Sequence, residues 1–158
     1  MSAIFQKGKK ASWNALQKYE CDAITAAFNN PLSTTDEIFN FGCEFFCHLY
    51  HASENVRRDG GINYLRFLLF IKSKVGVKLE RLPPTAEAAR QYSYRVYLIV
   101  QKWLGNELPP TDWGWKKSVT GYEPVETLLD PAPPSLLKTI FCRCAQGCSN
   151  QCSCRKLG

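Results

Sequence analysis

Five cysteines within the last seventeen residues constrain this chain more than any other feature of the sequence. They form two Cys-x-Cys pairs around a single central cysteine, and they are Cys142, Cys144, Cys148, Cys152 and Cys154. Thiolates this close in sequence can converge on one soft or borderline metal ion, and Zn²⁺ is the usual occupant of a tetrahedral thiolate site. Nearby Arg143, Arg155 and Lys156 favour the thiolate form. The sequence therefore predicts Zn²⁺ as a cofactor held by these five cysteines.

A disulfide-linked tail of a secreted protein is the alternative interpretation, and it fits the sequence less well. Five is an odd number, the start of the chain lacks the apolar segment of a secretory signal, and Cys-x-Cys neighbours rarely pair with each other. The longest apolar run, residues 67–71, is far shorter than a membrane span. We therefore expect a soluble, intracellular and nuclear protein that does not bind membranes.

The cysteine run resembles the first half of the CXC motif of tesmin/TSO1-type DNA-binding proteins, which also resembles the cysteine cluster preceding some SET domains. The resemblance implies a fold in which nine thiolates share three zinc ions. This chain has five of the nine, enough for one tetrahedral site with one thiolate left over, so we expect a fragment, a truncated product or a degenerate copy. The family has a tyrosine for base reading where Gln151 stands. Binding to the phosphate backbone through Arg143, Arg155 and Lys156 is expected instead.

Basic residues are concentrated at both ends of the chain. Residues 1–18 hold four lysines and residues 135–158 hold four further cations, and neither segment contains an acidic residue. All fourteen acidic residues lie between them, together with the other twelve basic ones. Two acid-free basic ends suit a polyanionic partner, and we expect nucleic acid, DNA in the first place.

At the amino end, Gly8 precedes Lys9 and Lys10. Glycine permits a turn that would place both lysines at the start of a helix, where free N–H groups and the helix dipole favour phosphate. A solvated basic terminus is the alternative. We take Lys9 and Lys10 as candidate nucleic-acid-binding residues, alongside Arg143, Arg155 and Lys156.

Between the two ends the hydrophobic pattern predicts a mainly α fold: a helical bundle with a small β-hairpin and a C-terminal cysteine-rich zinc-binding tail. Five helices are predicted. The first begins at a Ser12 cap, the second spans 23–28, and the third runs from Ser33–Thr35 to His51. After a break at Asp59-Gly60-Gly61 the fourth spans 62–74, and the fifth runs from Pro83-Pro84-Thr85 to Gly105-Asn106. In the third helix the predicted inward residues are Ile38, Phe41, Phe45 and Leu49. In the last they are Ala89, Tyr92, Val96, Ile99, Val100 and Trp103. Its predicted polar side holds Arg90, Arg95, Gln101 and Lys102, and we expect this helix at the centre of the bundle.

The sequence divides into three parts. Residues 1–108 form the helical domain, and residues 109–134 contain a hairpin that turns near Thr120-Gly121, followed by the proline-rich linker 130–134. Residues 135–158 form the zinc-binding tail, whose first residues, up to Ile140, are predicted to be helical.

A second group of metal-binding residue types lies on the third helix. Cys43, Cys47 and His51 follow each other at four-residue steps, with His48 adjacent and Cys21 earlier in the chain. A metal site or a Cys/His nucleophile pair is possible in principle, but free cysteine on a Phe-rich helix is more typical of a buried core. We find no phosphate-binding loop, dinucleotide fingerprint or other catalytic motif. No catalytic residue or small-molecule substrate is predicted, and we do not expect an enzyme.

Several segments together resemble the carboxyl half of a broad family of transposable-element-associated animal proteins. They are Lys7-Gly-Lys-Lys10, Leu82-Pro-Pro-Thr85, Tyr94-Arg-Val-Tyr97, Trp103-Leu-Gly-Asn106, Trp113-Gly-Trp-Lys116, Pro133-Pro134 and the cysteine cluster. In that family a PIN/FEN-like nuclease-type domain precedes the lysine-rich stretch, which implies that any catalytic part lies upstream. Three functions therefore stay open: a zinc-dependent DNA-binding module, a protein-interaction or structural domain with a zinc clasp, and the non-catalytic half of a nuclease.

Overall fold

The computed structural model describes residues 4, 6–19, 21–73 and 78–127. Within this part the fold is mainly helical with one small antiparallel hairpin, as the hydrophobic pattern predicts. The helices are α1 (Lys9–Lys18), α2 (Asp22–Asn29), α3 (Thr35–Leu49), α4 (Glu54–Lys72) and α5 (Ala86–Trp103), and the strands are β1 (Trp115–Ser118) and β2 (Gly121–Pro124). None of the described helices combines the length and the apolar composition needed to cross a bilayer. The linker at 130–134, the helix expected after it and the cysteine cluster lie outside the described residues.

Two of the predicted helix starts follow from side-chain caps. The Thr34 hydroxyl accepts from the backbone N–H of Glu37 at 3.2 Å, and the Glu37 carboxylate accepts from the N–H of Thr34 at 2.8 Å, which completes a capping box. Thr85 caps α5 in the same way through the N–H of Ala88. Both starts were predicted correctly because the cap residues are local in sequence.

The predicted start of α1 was wrong. Ser12 does not cap the helix: its backbone N–H donates to the carbonyl of Gly8 at 3.1 Å, so it lies inside the first turn. Gly8 is the N-cap residue, with extended backbone and no side chain to accept a hydrogen bond. A glycine cap has no side-chain oxygen, whereas Ser12, four residues later, has the hydroxyl typical of a cap, and the prediction therefore favoured the serine.

The break predicted at Asp59-Gly60-Gly61 is present as a kink within α4. Gly61 has φ 61° and ψ −151°, a conformation that is strained for any residue with a side chain, and helical geometry continues on both sides of it. Beyond the kink, Ile62 and Leu65 are buried, whereas Ile71 is exposed. The glycine thus redirects the second half of α4 and limits its buried surface to its first turns.

The core forms where α3 and α5 pack together, with α2 against both helices and with α1 and α4 against α3. One group of buried residues centres on Phe46, Cys47 and Leu49 and includes Ile62 and Leu65 of α4. A second group joins α3, α5 and the segment before the hairpin, and it consists of Ile38, Tyr94, Tyr97 and Trp113. The helix α3 packs against all four other helices, whereas α5 packs against α2 and α3, so α3 occupies the central position that was predicted for α5.

The predicted inward face of α3 is rotated from the observed one. Phe46 is buried, whereas Phe41 and Phe45 are only half-buried, and the buried row runs through Ile38, Gly42 and Phe46. A Cβ atom at Gly42 would lie 2.0 Å from the Ser93 hydroxyl oxygen on α5. The helices α3 and α5 therefore approach each other at Gly42, and the neighbouring phenylalanines lie at the side of this contact.

Gln101 and Trp103 exchange the positions predicted for them: Gln101 is completely buried and Trp103 is 78% exposed. The reason lies at the carboxyl end of α2, where backbone carbonyls have no partner within their own helix. Gln101 Nε2 donates to the carbonyl of Phe28 at 2.8 Å, and the Tyr97 hydroxyl donates to that of Asn30 at 2.7 Å. Burial of a polar side chain of α5 therefore follows from the unpaired carbonyls of α2.

The predicted hairpin is present, and it turns at Val119-Thr120, one residue before the predicted Thr120-Gly121; it pairs Trp115 with Pro124 and Ser118 with Gly121. It is joined to the helices through Trp113, whose ring centroid lies 4.3 Å from that of Tyr97. Gly114 follows with φ 80°, and a Cβ atom there would lie 3.1 Å from the carbonyl oxygen of Gln91. The glycine lets the chain cross close to α5 before β1 begins.

Candidate nucleic-acid interface

The first turn of α1 presents the two lysines that the sequence singles out. Lys9 and Lys10 are the first two residues of the helix, and both are exposed. In this helix no residue is acidic, and within the described residues no side chain caps Gly8. Backbone N–H groups and two exposed lysines therefore lie together in the first turn of the helix, a combination that favours phosphate.

Trp13 lies beside these lysines, and sequence reasoning missed its exposure. It follows Lys9 by four residues and Lys10 by three, so all three side chains share one face of the helix. The indole is 62% exposed. The buried residue of α1 is Ala15, two positions further along the helix. The signal available in the sequence is a tryptophan one turn from two lysines in an acid-free segment.

The other two amino-terminal lysines have different surroundings. The Lys7 ammonium lies 4.9 Å from the centre of the Tyr50 ring, and that of Lys18 lies 5.1 Å from the centre of the Tyr19 ring. Such cation–π contacts hold these side chains against the helical body. Lys9 and Lys10 are thus the lysines of this segment that extend freely from it, and we call Lys9, Lys10 and Trp13 the α1 face.

The opposite side of α1 is fixed to α3 through His48. The Tyr19 ring stacks on the His48 imidazole with centroids 4.5 Å apart. His48 is buried. Its Nδ1 accepts a hydrogen bond from Arg57 Nη1 at 2.7 Å, and the Nε2 of His48 lies 3.6 Å from a Glu44 carboxylate oxygen. Burial and then the Arg57 guanidinium lower the pKa of His48, against the smaller opposing effect of Glu44. A neutral imidazole therefore joins α1, α3 and α4.

The cysteines of the helical body are packed as apolar residues. Cys21 and Cys47 are buried, and Cys43 packs against the same core. Burial raises the pKa of Cys43 to about 12 and that of Cys47 to about 11, and it also raises the pKa of Cys21. These thiols stay protonated at neutral pH, which leaves little thiolate to act as a nucleophile.

His51, the third member of the predicted four-residue series, lies apart from the two cysteines. It follows the end of α3 with φ 58°, is exposed, and has its Nδ1 3.3 Å from the Tyr19 hydroxyl. Among the residues that the structure describes, no three of the types His, Cys, Asp and Glu are arranged to hold a metal ion. The core interpretation preferred for Cys43 and Cys47 thus agrees with their burial.

The remaining predicted site residues belong to the part of the chain that is not described. They are the metal-ligand candidates Cys142, Cys144, Cys148, Cys152 and Cys154 and the phosphate-binding candidates Arg143, Arg155 and Lys156. Of the predicted nucleic-acid-binding set, the structure brings together Lys9 and Lys10 and adds Trp13 to them. Comparison of the chain with protein-family models, with curated proteins and with solved structures gives no match in any of the three.

Proposed function

We propose that this chain is a nucleic-acid-binding module, with DNA as its first partner, and not itself an enzyme. The α1 face is the observation that carries the proposal: two exposed lysines and an exposed tryptophan share one side of a helix without acidic residues. Lysines neutralise backbone phosphates whatever the base sequence, and an exposed indole stacks on any unpaired base. We therefore expect weak, largely sequence-independent binding.

The cysteine-rich tail supplies the second basic end of the proposed module. Cys142, Cys144, Cys148, Cys152 and Cys154 would bind Zn²⁺, which holds together a segment too short to form a core of its own. Arg143, Arg155 and Lys156 lie among and beside these ligands in sequence. Metal binding would keep their charges close together, so the tail would contact phosphates as a unit.

The salt dependence of duplex binding tests the α1 face. Each phosphate contact contributes about −0.9 to the slope of log K against log salt. Changing Lys9 and Lys10 together to alanine should flatten the slope by up to about 1.8, measured by fluorescence anisotropy with the full chain and a labelled duplex. The matched control changes Lys116 and Lys117, two exposed lysines of β1, to alanine with the same loss of charge and should leave the slope unchanged.

Trp13→Ala tests the contribution of stacking. Base–aromatic stacking contributes roughly 1–3 kcal/mol on single strands, so affinity for single-stranded DNA should fall about fivefold or more. Affinity for the duplex, in which bases are already stacked, should change less than about twofold. Trp103→Ala is the control, because Trp103 is as exposed but lies at the end of α5.

Two results would reject the proposal. One is the absence of any binding at low salt; the other is an equal loss of salt dependence in the Lys9/Lys10 and Lys116/Lys117 variants, which would indicate attraction by net charge alone. Either result would favour the alternative function, a protein-interaction domain in which zinc merely closes the tail.

A further inference from the structure

A cavity of about 670 Å³ lies on the side of the helical body formed by α3, α4, α5 and the segment that follows β2. We propose that it binds a small organic anion, whose carboxylate or phosphate group contacts Arg66 and Arg95 and whose apolar body lies along Phe46 and Leu82. The volume is within the range of about 300–1,000 Å³ typical of small-molecule sites. This proposal concerns a separate set of residues and does not rest on nucleic-acid binding.

Arg66 enters the cavity from α4. Its guanidinium donates to the backbone carbonyl of Pro83, which is one acceptor for a group with five N–H donors. Tyr50 lines the same cavity and directs its hydroxyl to the carbonyl of Leu82 at 3.3 Å. Arg66 is half-buried, and this burial lowers the pKa of its guanidinium. A charged group is therefore held partly out of water, and its hydrogen-bond acceptor among the described residues is the Pro83 carbonyl.

Arg95 reaches the same cavity from α5. Its Nη1 donates to the carbonyl of Gly114 at 3.4 Å, and Tyr92 of the preceding turn also lines the cavity. Arg95 is half-buried as well, and burial lowers its pKa. Sequence periodicity assigned this arginine to the polar surface of α5, but the chain segment around Gly114 covers it.

Neither guanidinium is neutralised by a carboxylate in the part of the chain that the structure describes. The ion pairs found there are those of Arg58 with Asp59 and Glu87 with Arg90, and Glu44 lies beside the neutral His48. Glu80 and Glu126 do line the cavity, but both are exposed at its edge and pair with neither arginine. A half-buried guanidinium without an anionic partner is unfavourable, and a bound anion would relieve this cost at both arginines.

The rest of the lining determines what kind of anion fits. Apolar side chains dominate it, including Ile4, Phe46, Leu79, Leu82 and Val125. An inorganic ion would leave this surface exposed to water, whereas an alkyl or aryl chain would bury it. Guanidinium groups match the planar or trigonal oxygen atoms of carboxylates and phosphates. The site therefore suits an anionic head on an apolar body.

Calorimetric titration of the full chain with octanoate, octanol and inorganic phosphate tests the proposal. Octanoate should bind at least about tenfold more tightly than octanol, which has a similar apolar chain without the charge, because charge-assisted hydrogen bonds are stronger than neutral ones. It should also bind more tightly than inorganic phosphate, which has no apolar body. Octyl phosphate, titrated alongside, shows which of the two head groups the arginines prefer.

Variants then assign the binding to the two arginines. Arg66→Gln and Arg95→Gln should each weaken octanoate binding about tenfold and leave octanol binding unchanged. Arg58→Gln is the matched control on α4, since Arg58 is exposed and pairs with Asp59, and it should bind octanoate like the unmodified chain. If Arg66→Gln fails to fold, as judged by circular dichroism, Arg95→Gln decides. Equal binding of octanol and octanoate, or unchanged binding in the variants that fold, would overturn the proposal.

Discussion

At the scale of single residues, the carboxyl end of α2 shows how buried polar groups determine which face of a helix turns inward. Three carbonyls there accept side-chain hydrogen bonds, in the pairs Ala27 with Ser33, Phe28 with Gln101 and Asn30 with Tyr97. Gln101 completes its own bonding by accepting from Asn106 Nδ2 at 2.8 Å. Each of these donors is buried, and its hydrogen bond gives a carbonyl at the end of α2 a partner.

Gln101→Leu should therefore destabilise the chain although it makes the core more apolar. The carbonyl of Phe28 and the amide of Asn106 would both lose a partner, at a cost of roughly 1–3 kcal/mol for an unsatisfied buried group. Urea denaturation followed by circular dichroism measures the change. Lys102→Leu, at the exposed neighbouring position, should stay within about 0.5 kcal/mol of the unmodified chain. Equal stability of Gln101→Leu and the unmodified chain would show that these bonds contribute little.

At the scale of elements, the interface between α3 and α4 depends on the protonation state of the His48 imidazole. His48 of α3 accepts a hydrogen bond from Arg57 of α4, and only the neutral imidazole can accept at that nitrogen. Protonation would place two positive charges next to each other in a buried site, with Glu44 as the nearby anion. Since folding lowers the pKa of His48, the unfolded chain binds the proton more readily than the folded one.

Stability should consequently fall as the pH decreases below about 6.5, the ordinary pKa of histidine, and the contribution of His48 should be fully present above that value. The loss is at most about 1.4 kcal/mol per pH unit until the lowered pKa is reached. Urea midpoints across this range should show a steeper decline for the unmodified chain than for His48→Gln. His51→Gln, which removes an exposed histidine, should follow the unmodified chain. Parallel curves for the chain and His48→Gln would contradict the prediction.

Elements could be predicted from the sequence wherever local signals define them. These signals act over a few residues, and the structure has a helix start or a hairpin turn at each of them. They are the capping box of Thr34 with Glu37, the Thr85 cap and the turn before Gly121. The inward face of α3 could not be predicted, because the close approach of Ser93 to Gly42 depends on a contact between distant segments. Exposure of Trp13 depends in the same way on how α1 lies against α3.

At the scale of the whole molecule, the helical body has an apolar core of its own within residues 4–127. Its two groups of buried residues draw on α1, α3, α4, α5 and Trp113. The mainly helical fold with a small hairpin was therefore predictable from periodicity. Of the α1 face, only Lys9 and Lys10 could be predicted from the sequence. The exposure of Trp13 could not, because it depends on how α1 packs against the helical body.

Removal of zinc should affect the tail and the helical body differently. A chelator should release Zn²⁺ and weaken duplex binding, because the basic residues of the tail lose their common scaffold. The helical signal in circular dichroism should decrease by less than about a tenth, since the core of the body contains no zinc ligand of the proposed set. Elemental analysis before and after chelation gives the metal content. Absence of zinc from the purified chain, or collapse of the helical signal on chelation, would contradict this prediction.

The protonated thiols of α3 have a further consequence for the chemistry of this chain. Cys47 is buried and Cys43 is half-buried, and both form thiolates only rarely at neutral pH. An alkylating reagent should therefore modify Cys47 mainly during brief openings of the helix, so that its rate of modification reports the free energy of that opening. In the zinc-bound form proposed above, the tail cysteines would be modified at a rate set by metal release instead. If the tail binds zinc as proposed, the modification rates of the two sets of cysteines would thus report two different processes, helix opening and metal exchange.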